Sequence, residues 1–199
     1  MSFRIEEKIP LSKSDGIDAL SVLFKKGFRE LHPERLIQSA YFDTHDFKLF
    51  ADSEEGVLPR KKIRIRSYPE QLNTSSNLEI KFSSVEGRYK ESSKLLKKQE
   101  DNYFFSGYFD SLYGLVLPCC EIKYYRQYFI KDGIRITFDQ NITYSSINGF
   151  TPFLTPESRC VIEIKAKASE NKELINKLVP FPRSRFSKFS EAIKSLDLC

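Results

Sequence analysis

The segment that most constrains this chain is the basic stretch at residues 60–68, RKKIRIRSY. Successive side chains of a β-strand point to opposite faces. As a strand, the segment therefore directs four polar side chains to one face and two isoleucines to the other: Lys62, Arg64, Arg66 and Tyr68 against Ile63 and Ile65. A half-buried surface strand with a solvated charged face would explain one such segment.

The same alternation returns in four later segments, at residues 78–81, 122–126, 134–137 and 161–165. Each segment carries long charged residues between β-branched or aromatic ones. Strands of this kind predict a sheet that closes around a charged interior and turns its apolar face outward beneath helices. We therefore predict an α+β fold, a closed antiparallel β-barrel of about eight strands with helices packed outside it.

The size and composition of the chain favour a single folded domain over residues 1–199. Hydrophobic residues make up 40% of the sequence, with 17 Phe and 10 Tyr, so a large core is available. This composition excludes an intrinsically disordered protein. No linker, repeat or low-complexity segment divides the chain.

The charge and the cysteines indicate the cellular setting. The formal charge of +5 favours an anionic partner only weakly. The four cysteines, Cys119, Cys120, Cys160 and Cys199, match no common zinc or disulfide spacing, which predicts reduced thiols in the cytoplasm. Because no apolar run approaches the roughly 20 residues of a membrane span, we expect a chain that does not itself span a membrane. A membrane protein as its partner is compatible with this.

Several further elements follow from local patterns. Ser14 is the expected N-cap of a helix that ends near residue 26, and Asp132-Gly133 predicts a β-hairpin turn. Residues 100–115 carry aromatic side chains at helical spacing. We interpret this segment as a helix whose aromatic stripe packs as core on the outside of the sheet.

Arginines and lysines inside a sheet must meet anions, because an isolated buried charge costs several kcal/mol. A mixed Arg and Lys lining suits a run of phosphates, since Arg binds phosphate bidentately and Lys acts as a mobile point charge. Glu163 stands among these cations on a predicted strand. Its carboxylate is either an internal salt-bridge partner or a ligand of the divalent ion that accompanies a nucleoside triphosphate, and the spacing leaves both readings open.

Eight short motifs carry a family resemblance: RIEEK (4–8), YFDT (41–44), KIRIR (62–66), EIK (79–81), YYR (124–126), RITFD (135–139), EIK (163–165) and RFSKF (185–189). In this order they resemble the VTC domain. That is the polyphosphate polymerase domain of the vacuolar transporter chaperone complex, within the triphosphate tunnel metalloenzyme (CYTH-like) superfamily. The resemblance covers nearly the whole chain. Arg4 stands where many tunnel enzymes have Glu. An arginine at this position is similar to the VTC form.

The resemblance implies a tunnel of eight antiparallel strands that binds a nucleoside triphosphate through its phosphates. It implies phosphate-holding catalytic residues at Arg64, Arg66, Lys81, Arg126 and Lys188. It places Lys8, Lys90 and Arg135 further along the lining, with hydroxyl donors at Tyr124 and Ser187. It makes Glu163 the ligand of Mn²⁺ or Mg²⁺.

The expected activity is transfer of the γ-phosphate of ATP to phosphate or to a growing polyphosphate chain. A phosphohistidine intermediate is not expected, because His32 and His45 fall in predicted surface segments. The alternatives are a metal-dependent triphosphatase and a non-catalytic module that binds polyphosphate or inositol polyphosphate. Nucleic acid is not an expected partner, because the cations alternate inward and form no exposed stripe with stacking aromatics. The sequence leaves open the acceptor, the preferred metal, the oligomeric state and a membrane partner that exports the product.

Overall fold

A computed structural model describes residues 4–71, 75–147 and 154–199. The sequence pattern also predicts a strand over residues 3–11 and loops over residues 69–77 and 143–158. Residue 3 of this strand, and residues 72–74 and 148–153 of these loops, lie outside the described ranges. None of the described helices is long and apolar enough to cross a membrane.

The described residues form five helices and ten strands. The helices are α1 (Lys13–Lys25), α2 (Lys48–Glu55), α3 (Lys97–Ser106), α4 (Lys172–Leu178) and α5 (Lys188–Ser195). The strands are β1 (Arg4–Ser12), β2 (Arg29–Asp43), β3 (Arg60–Ser67), β4 (Asn77–Ser84), β5 (Gly87–Lys94), β6 (Tyr108–Asp110), β7 (Gly114–Lys131), β8 (Ile134–Ser146), β9 (Thr155–Pro156) and β10 (Arg159–Lys167).

Eight strands lie in the hydrogen-bonded order β1-β10-β8-β7-β2-β3-β4-β5, while β6 pairs with β7 and β9 pairs with β8. The pairs β1–β10, β10–β8, β2–β3, β3–β4 and β4–β5 are antiparallel. The predicted α+β class and antiparallel sheet are therefore confirmed. The predicted closed barrel is wrong, because among the described residues the order is a path with two ends and not a ring.

The outer edge of β1 is covered by its own chain. The backbone N–H of Ser184 donates to the Lys8 carbonyl at 3.0 Å, and Lys8 Nζ donates to the Phe186 carbonyl at 2.8 Å. Arg183 Nε adds a bond of 3.0 Å to the Glu7 carboxylate. The Lys8 carbonyl is thus already bonded and is not available to a further strand, and the two side-chain contacts hold residues 183–186 against this edge.

The opposite end of the path, β5, is a charged edge strand. Seven of its eight residues are exposed, and they include Arg88, Lys90, Glu91 and Lys94. Exposed charged side chains are a common means of keeping a sheet edge from pairing with another strand. The two ends of the path are thus stabilised without closure.

Contacts divide the chain into two compact units. The first unit comprises residues 1–35, 124–142 and 156–186. In its core α1 packs on the apolar face of β1, β8 and β10 through residues such as Leu23, Ile136 and Ile162, each at most 1% exposed. The helix begins directly after β1: Ser12, not the predicted Ser14, is the N-cap, and its Oγ accepts from the Asp15 N–H at 3.1 Å.

The second unit comprises residues 36–123, 143–155 and 187–199. Its core contains Phe42, Leu49, Ile63 and Val116, all at most 1% exposed. Ile63 and Ile65 lie on the buried face of β3, as the alternation in this strand predicts. The polar side chains of the same strand are therefore left on the opposite face.

The predicted hairpin at Asp132-Gly133 is confirmed. These two residues connect β7 to β8 with φ angles of 47° and 77°, as a two-residue turn of this type requires. A two-residue turn brings Arg126 of β7 opposite Asp139 of β8. This register matters for the site described below.

The helix predicted over residues 100–115 is wrong in its second half. The helix α3 ends at Ser106, and Gly107 follows with φ 81°. The backbone at Gly107 is therefore not helical, and a Cβ atom at this position would lie 2.6 Å from the Val116 carbonyl, so only glycine fits here. The expected aromatic core stripe is confirmed only in part: Tyr113 is buried and Tyr103 and Tyr108 pack against the core, whereas Phe105 is 91% and Phe109 75% exposed.

Replacing Gly16 with Ala tests the packing of α1. Alanine normally stabilises a helix interior by about 1 kcal/mol relative to glycine. Here the added Cβ would lie 2.2 Å from Cys160 Sγ and 3.2 Å from the Phe138 ring. We expect Gly16→Ala to lower the free energy of unfolding by roughly 1–3 kcal/mol in urea titrations.

The double variant Gly16→Ala, Cys160→Ala is the control, because it removes the sulfur that causes the clash. We expect it to recover part of the loss. A Gly16→Ala variant more stable than the parent chain would contradict the packing described for α1.

Candidate functional site

One face of β3, β4 and β5 in the second unit gathers most of the predicted cations. The register places Lys62 opposite Lys81 and Lys81 opposite Lys90, so these lysines form a row across the three strands. In the next row Arg64 lies opposite Glu79. Residues directly opposite one another in a sheet share a face, which brings Arg64, Arg66, Lys81 and Lys90 together.

This face carries a large excess of positive charge. By alternation along β3–β5 it holds one carboxylate, that of Glu79, and eight cations: Arg60, Lys62, Arg64, Arg66, Lys81, Arg88, Lys90 and Lys94. We call this surface the cation face. Like charges this close repel one another, so an anionic ligand that binds the face also relieves repulsion.

Glu79 is the centre of the cation face. Its carboxylate accepts from Arg64 Nε at 2.8 Å, Arg64 Nη2 at 2.6 Å and Lys90 Nζ at 2.8 Å. Arg66 Nη1 lies 3.7 Å away. The residue is only 6% exposed. One buried carboxylate thus holds three of the predicted phosphate-binding side chains.

These contacts control the ionisation of Glu79. Burial by itself would raise the pKa of this carboxyl group, but the charges of Arg64 and Arg66 and the bond from Lys90 outweigh it and lower the pKa to about 2. The group is therefore ionised throughout the physiological pH range. It cannot act as a general acid or base near neutral pH.

Arg64 is held on two sides. Its Nη1 donates to the Tyr41 hydroxyl at 2.6 Å, and its guanidinium carbon lies 5.5 Å from the centre of the Tyr41 ring. Together with the two bonds to Glu79, these contacts orient the guanidinium plane. An arginine that is already oriented loses less entropy when it binds a phosphate.

The N-terminus of α5 provides the predicted Ser187 and Lys188. Ser187 is the N-cap, and its Oγ accepts from the Ser190 N–H at 3.3 Å and from Lys62 Nζ at 2.8 Å. Lys188 is the first residue of the helix and is half-buried. The helix N-terminus adds partial positive charge, so this end of α5 joins the cation face through Lys62.

Arg126 is the centre of the site residues in the first unit. Its guanidinium donates to both carboxylate oxygens of Asp139, at 2.5 and 2.7 Å, and lies 5.2 Å from the centre of the Tyr124 ring. Burial would lower the pKa of Arg126, but the charge of Asp139 and its hydrogen bonds raise it well above its usual value. The side chain therefore stays charged although it is buried.

Glu163 lies on β10 beside Arg126. Its carboxylate oxygens are 3.6 Å from Arg126 Nη2 and 3.3 Å from Lys165 Nζ. The register places it between Lys8 of β1 and Thr137 of β8. These cation contacts agree with the salt-bridge reading of Glu163, and they also leave its carboxylate on the polar face of β10.

Glu163 can supply a single protein ligand to a divalent ion. Among the residues that the structure describes, no group of three His, Cys, Asp or Glu side chains comes together to hold a metal. Mg²⁺ is often bound by one or two carboxylates and completes its shell with phosphate oxygens and water. The residues present fit an ion that arrives with a phosphate substrate and takes one protein ligand from Glu163.

Two other predicted residues have their own places in the first unit. Lys8 is half-buried, and its Nζ donates to the Phe186 carbonyl, so this lysine also supports the covered edge of β1. Arg135 is exposed and lies opposite Lys165 in the β8–β10 register. Arg135 shares the strand face of Thr137 and Asp139.

The predicted site residues thus fall into two groups. The second unit contains Arg64, Arg66, Lys81, Lys90, Ser187 and Lys188, and the first unit contains Lys8, Tyr124, Arg126, Arg135 and Glu163. Within each unit the ion pairs and strand registers connect most of the group. The roles of these residues in binding and catalysis stay predictions.

The sequence interpretation missed three residues that organise these groups: Tyr41, Glu79 and Asp139. Each stands in a motif that the interpretation quoted, at YFDT, EIK and RITFD. The signal was present in the alternation, since Glu79 is two residues from Lys81 and Asp139 is four residues from Arg135, which puts each carboxylate on the same strand face as a predicted cation. A search for a carboxylate partner for each cation predicted to point inward would have identified both Glu79 and Asp139.

Known structures share this fold. A candidate adenylate cyclase from Bacillus halodurans superimposes with a TM-score of 0.65 at 16% sequence identity, with 94% of each chain covered. A candidate adenylate cyclase from Vibrio parahaemolyticus (TM-score 0.57, 14% identity, 97% of this chain and 98% of that chain) and a conserved hypothetical protein from Pyrococcus furiosus (0.58, 13%, 94% and 99%) are also similar. At these identities the similarity shows the fold alone.

The family follows from the sequence profile of the VTC domain, which matches residues 6–197. The chain belongs to the VTC domain family, and the resemblance drawn from its eight motifs is confirmed. No curated protein matches the sequence.

The pH dependence of stability tests the bonding of Glu79. Its pKa lies below the ordinary 4.5, so the native state holds the ionised form more strongly than the unfolded state does. This stabilisation is complete above about pH 4.5 and is lost as the pH falls through 2. Its size is about 3 kcal/mol.

We therefore expect the difference in free energy of unfolding between the parent chain and Glu79→Gln to be largest near pH 7 and to shrink between pH 5 and pH 2. Urea titrations at four pH values measure it. A difference that does not vary with pH would show that Glu79 is not bonded as described.

Proposed function

We propose that this VTC-family chain is an ATP-dependent polyphosphate polymerase. It transfers the γ-phosphate of ATP to phosphate or to a growing polyphosphate chain and releases ADP. The observation that carries this proposal is the cation face, with eight cations and one carboxylate on three adjacent strands. Few ligands other than a run of phosphates place several negative charges in a row at this spacing.

The chemistry requires no protein nucleophile. In phosphoryl transfer the protein mainly positions the reactants and neutralises charge on the transferred group. In this proposal Arg64, Arg66, Lys81 and Lys188 bind phosphate oxygens in the second unit, and Ser187 donates a hydroxyl bond. An oxygen of the acceptor phosphate attacks the γ-phosphorus in line, the bond to the β-phosphate oxygen breaks, and ADP leaves.

The first unit contributes Arg126, with Tyr124 against its guanidinium, and Glu163. Arg126 is already bonded in a bidentate manner to Asp139, so its plane is oriented before substrate arrives. Lys8 and Arg135 add positive charge for the phosphate chain. Glu163 would hold Mn²⁺ or Mg²⁺, and a bound divalent ion would supply charge neutralisation at the phosphates.

The same proposal covers the domain organisation, the location and the partners of the protein. We propose a single VTC-type domain over residues 1–199 that works in the cytoplasm on ATP and inorganic polyphosphate, without nucleic acid. The family assignment and the VTC domain's membership of a transporter chaperone complex support a membrane protein as the partner that receives the product.

Incubating the purified chain with ATP and Mn²⁺ tests the activity. We expect a ladder of long polyphosphate chains on stained gels, with an equal amount of ADP. Free phosphate without chains would replace the polymerase with a triphosphatase. Tight triphosphate binding without turnover would replace it with a binding module.

Replacing Glu163 with Gln tests the metal role. If Glu163 ligates the ion, Glu163→Gln should lower turnover by roughly 10²-fold or more, because metal-assisted charge neutralisation contributes several kcal/mol. Binding of tripolyphosphate without metal should stay within about threefold of the parent value. Glu30→Gln, an exposed carboxylate of the same unit, is the matched control, and normal turnover of Glu163→Gln would reject the metal role.

A further inference from the structure

The cation face contains its own anion. Glu79 contacts Arg64, Arg66 and Lys90, which are three of the side chains assigned to phosphate. This carboxylate accepts from donors that the proposed function assigns to phosphate oxygens. Glu79 and a bound phosphate therefore compete for some of the same donors.

The three bonds to Glu79 differ in strength. The two bonds from Arg64 are short, charge-assisted and largely shielded from water, since the Arg64 side chain is 23% exposed. Lys90 stands on the edge strand β5, and its side chain is 49% exposed. Exposed ion pairs contribute little, so Lys90 is the partner that an incoming anion can remove most easily.

Lys90 is also placed to reach a phosphate on the cation face. It lies directly opposite Lys81, which lies opposite Lys62. A lysine has several rotatable bonds and binds as a mobile point charge. Moving its ammonium group from Glu79 to a neighbouring anion requires no change in the backbone of β5.

We propose that Glu79 is a positioning residue that substitutes for phosphate in the empty site: it keeps Arg64 oriented throughout, and it releases Lys90 to the phosphate chain when substrate binds. This inference rests on the proposed function, because it assumes that the cation face binds phosphates. It adds that Glu79 makes the cation face bind phosphates less tightly than the eight cations alone would.

The charge of Glu79 opposes that of the ligand. At separations of about 6–7 Å and an effective dielectric constant near 40, between the values for a protein surface and for bulk water, one such charge changes anion affinity by about tenfold. Weaker binding suits an enzyme whose polyphosphate product must move along the site after each phosphate is added. The orientation of Arg64, in contrast, favours the transfer step. Glu79 thus lowers affinity and supports turnover at the same site.

The experiment compares Glu79→Gln with Glu91→Gln. Glu91 lies opposite Ile80 in the same strand pair, on the other face from Glu79, so both variants raise the net charge by one. Calorimetric titration with tripolyphosphate gives Kd, and the ATP assay gives kcat and KM. We expect Glu79→Gln to tighten Kd by about tenfold and to lower kcat, and Glu91→Gln to match the parent chain.

The outcomes separate this inference from the function on which it rests. A parent chain that does not bind tripolyphosphate would reject the proposed function. A parent chain that binds it, with Glu79→Gln binding no more tightly than Glu91→Gln, would reject the role of Glu79 alone. If Glu79 only stabilised the fold, Glu79→Gln would weaken tripolyphosphate binding and lower kcat together. The proposal instead expects tighter binding with a lower kcat.

A Lys90→Met variant gives a second test that does not depend on the folding of Glu79→Gln, since it keeps the bonds between Glu79 and Arg64. If Lys90 transfers to the phosphate chain, Lys90→Met should weaken tripolyphosphate binding about tenfold. Lys98→Met, on the exposed surface of α3, is the control. An unchanged Kd for Lys90→Met would overturn the transfer.

Discussion

The structure depends on the pairing of cations with carboxylates on the polar faces of its strands. Arg126 is buried and stays charged because Asp139 accepts two bonds from it. Arg64 is oriented in the same way by Glu79. Removing one partner from such a pair leaves an uncompensated charge, which costs about 3–5 kcal/mol. These pairs allow the sheet to carry two arginine side chains that are largely shielded from water, at 23% exposed for Arg64 and 9% for Arg126.

The two units use this pairing differently. In the first unit, Asp139 and Glu163 form ion pairs with the buried Arg126 and with Lys165, so the charges within this cluster of four side chains balance. In the second unit, one carboxylate serves a face with eight cations. The balanced cluster stabilises a buried charge, whereas the unbalanced face retains attraction for an external anion. The excess of positive charge in the second unit is therefore the main support for the proposed phosphate chemistry.

The alternation of polar and apolar residues was the sequence feature that predicted most of the fold. It identified the strands around residues 60–68, 78–84 and 160–167 and put the isoleucines of β3 on the buried face. Helical spacing of the aromatic residues was misleading for residues 100–115, because α3 ends at Ser106 and the backbone of Gly107, with φ 81°, is not helical. Alternation also left Glu79 and Asp139 unassigned, because it puts a carboxylate on the same face as a cation but does not show which cation it bonds.

The sequence by itself determined the strand faces, the hairpin turn and the family, because side-chain period, turn dihedrals and motif order are local properties. Only the tertiary structure decided that the sheet ends in a covered strand and a charged strand, and not in a closed barrel. It alone decided which carboxylate meets which cation: Arg64 and Glu79 are 15 residues apart in sequence but are direct neighbours in the sheet. Pairing of this kind is set by strand register, which the order of residues along one strand does not contain.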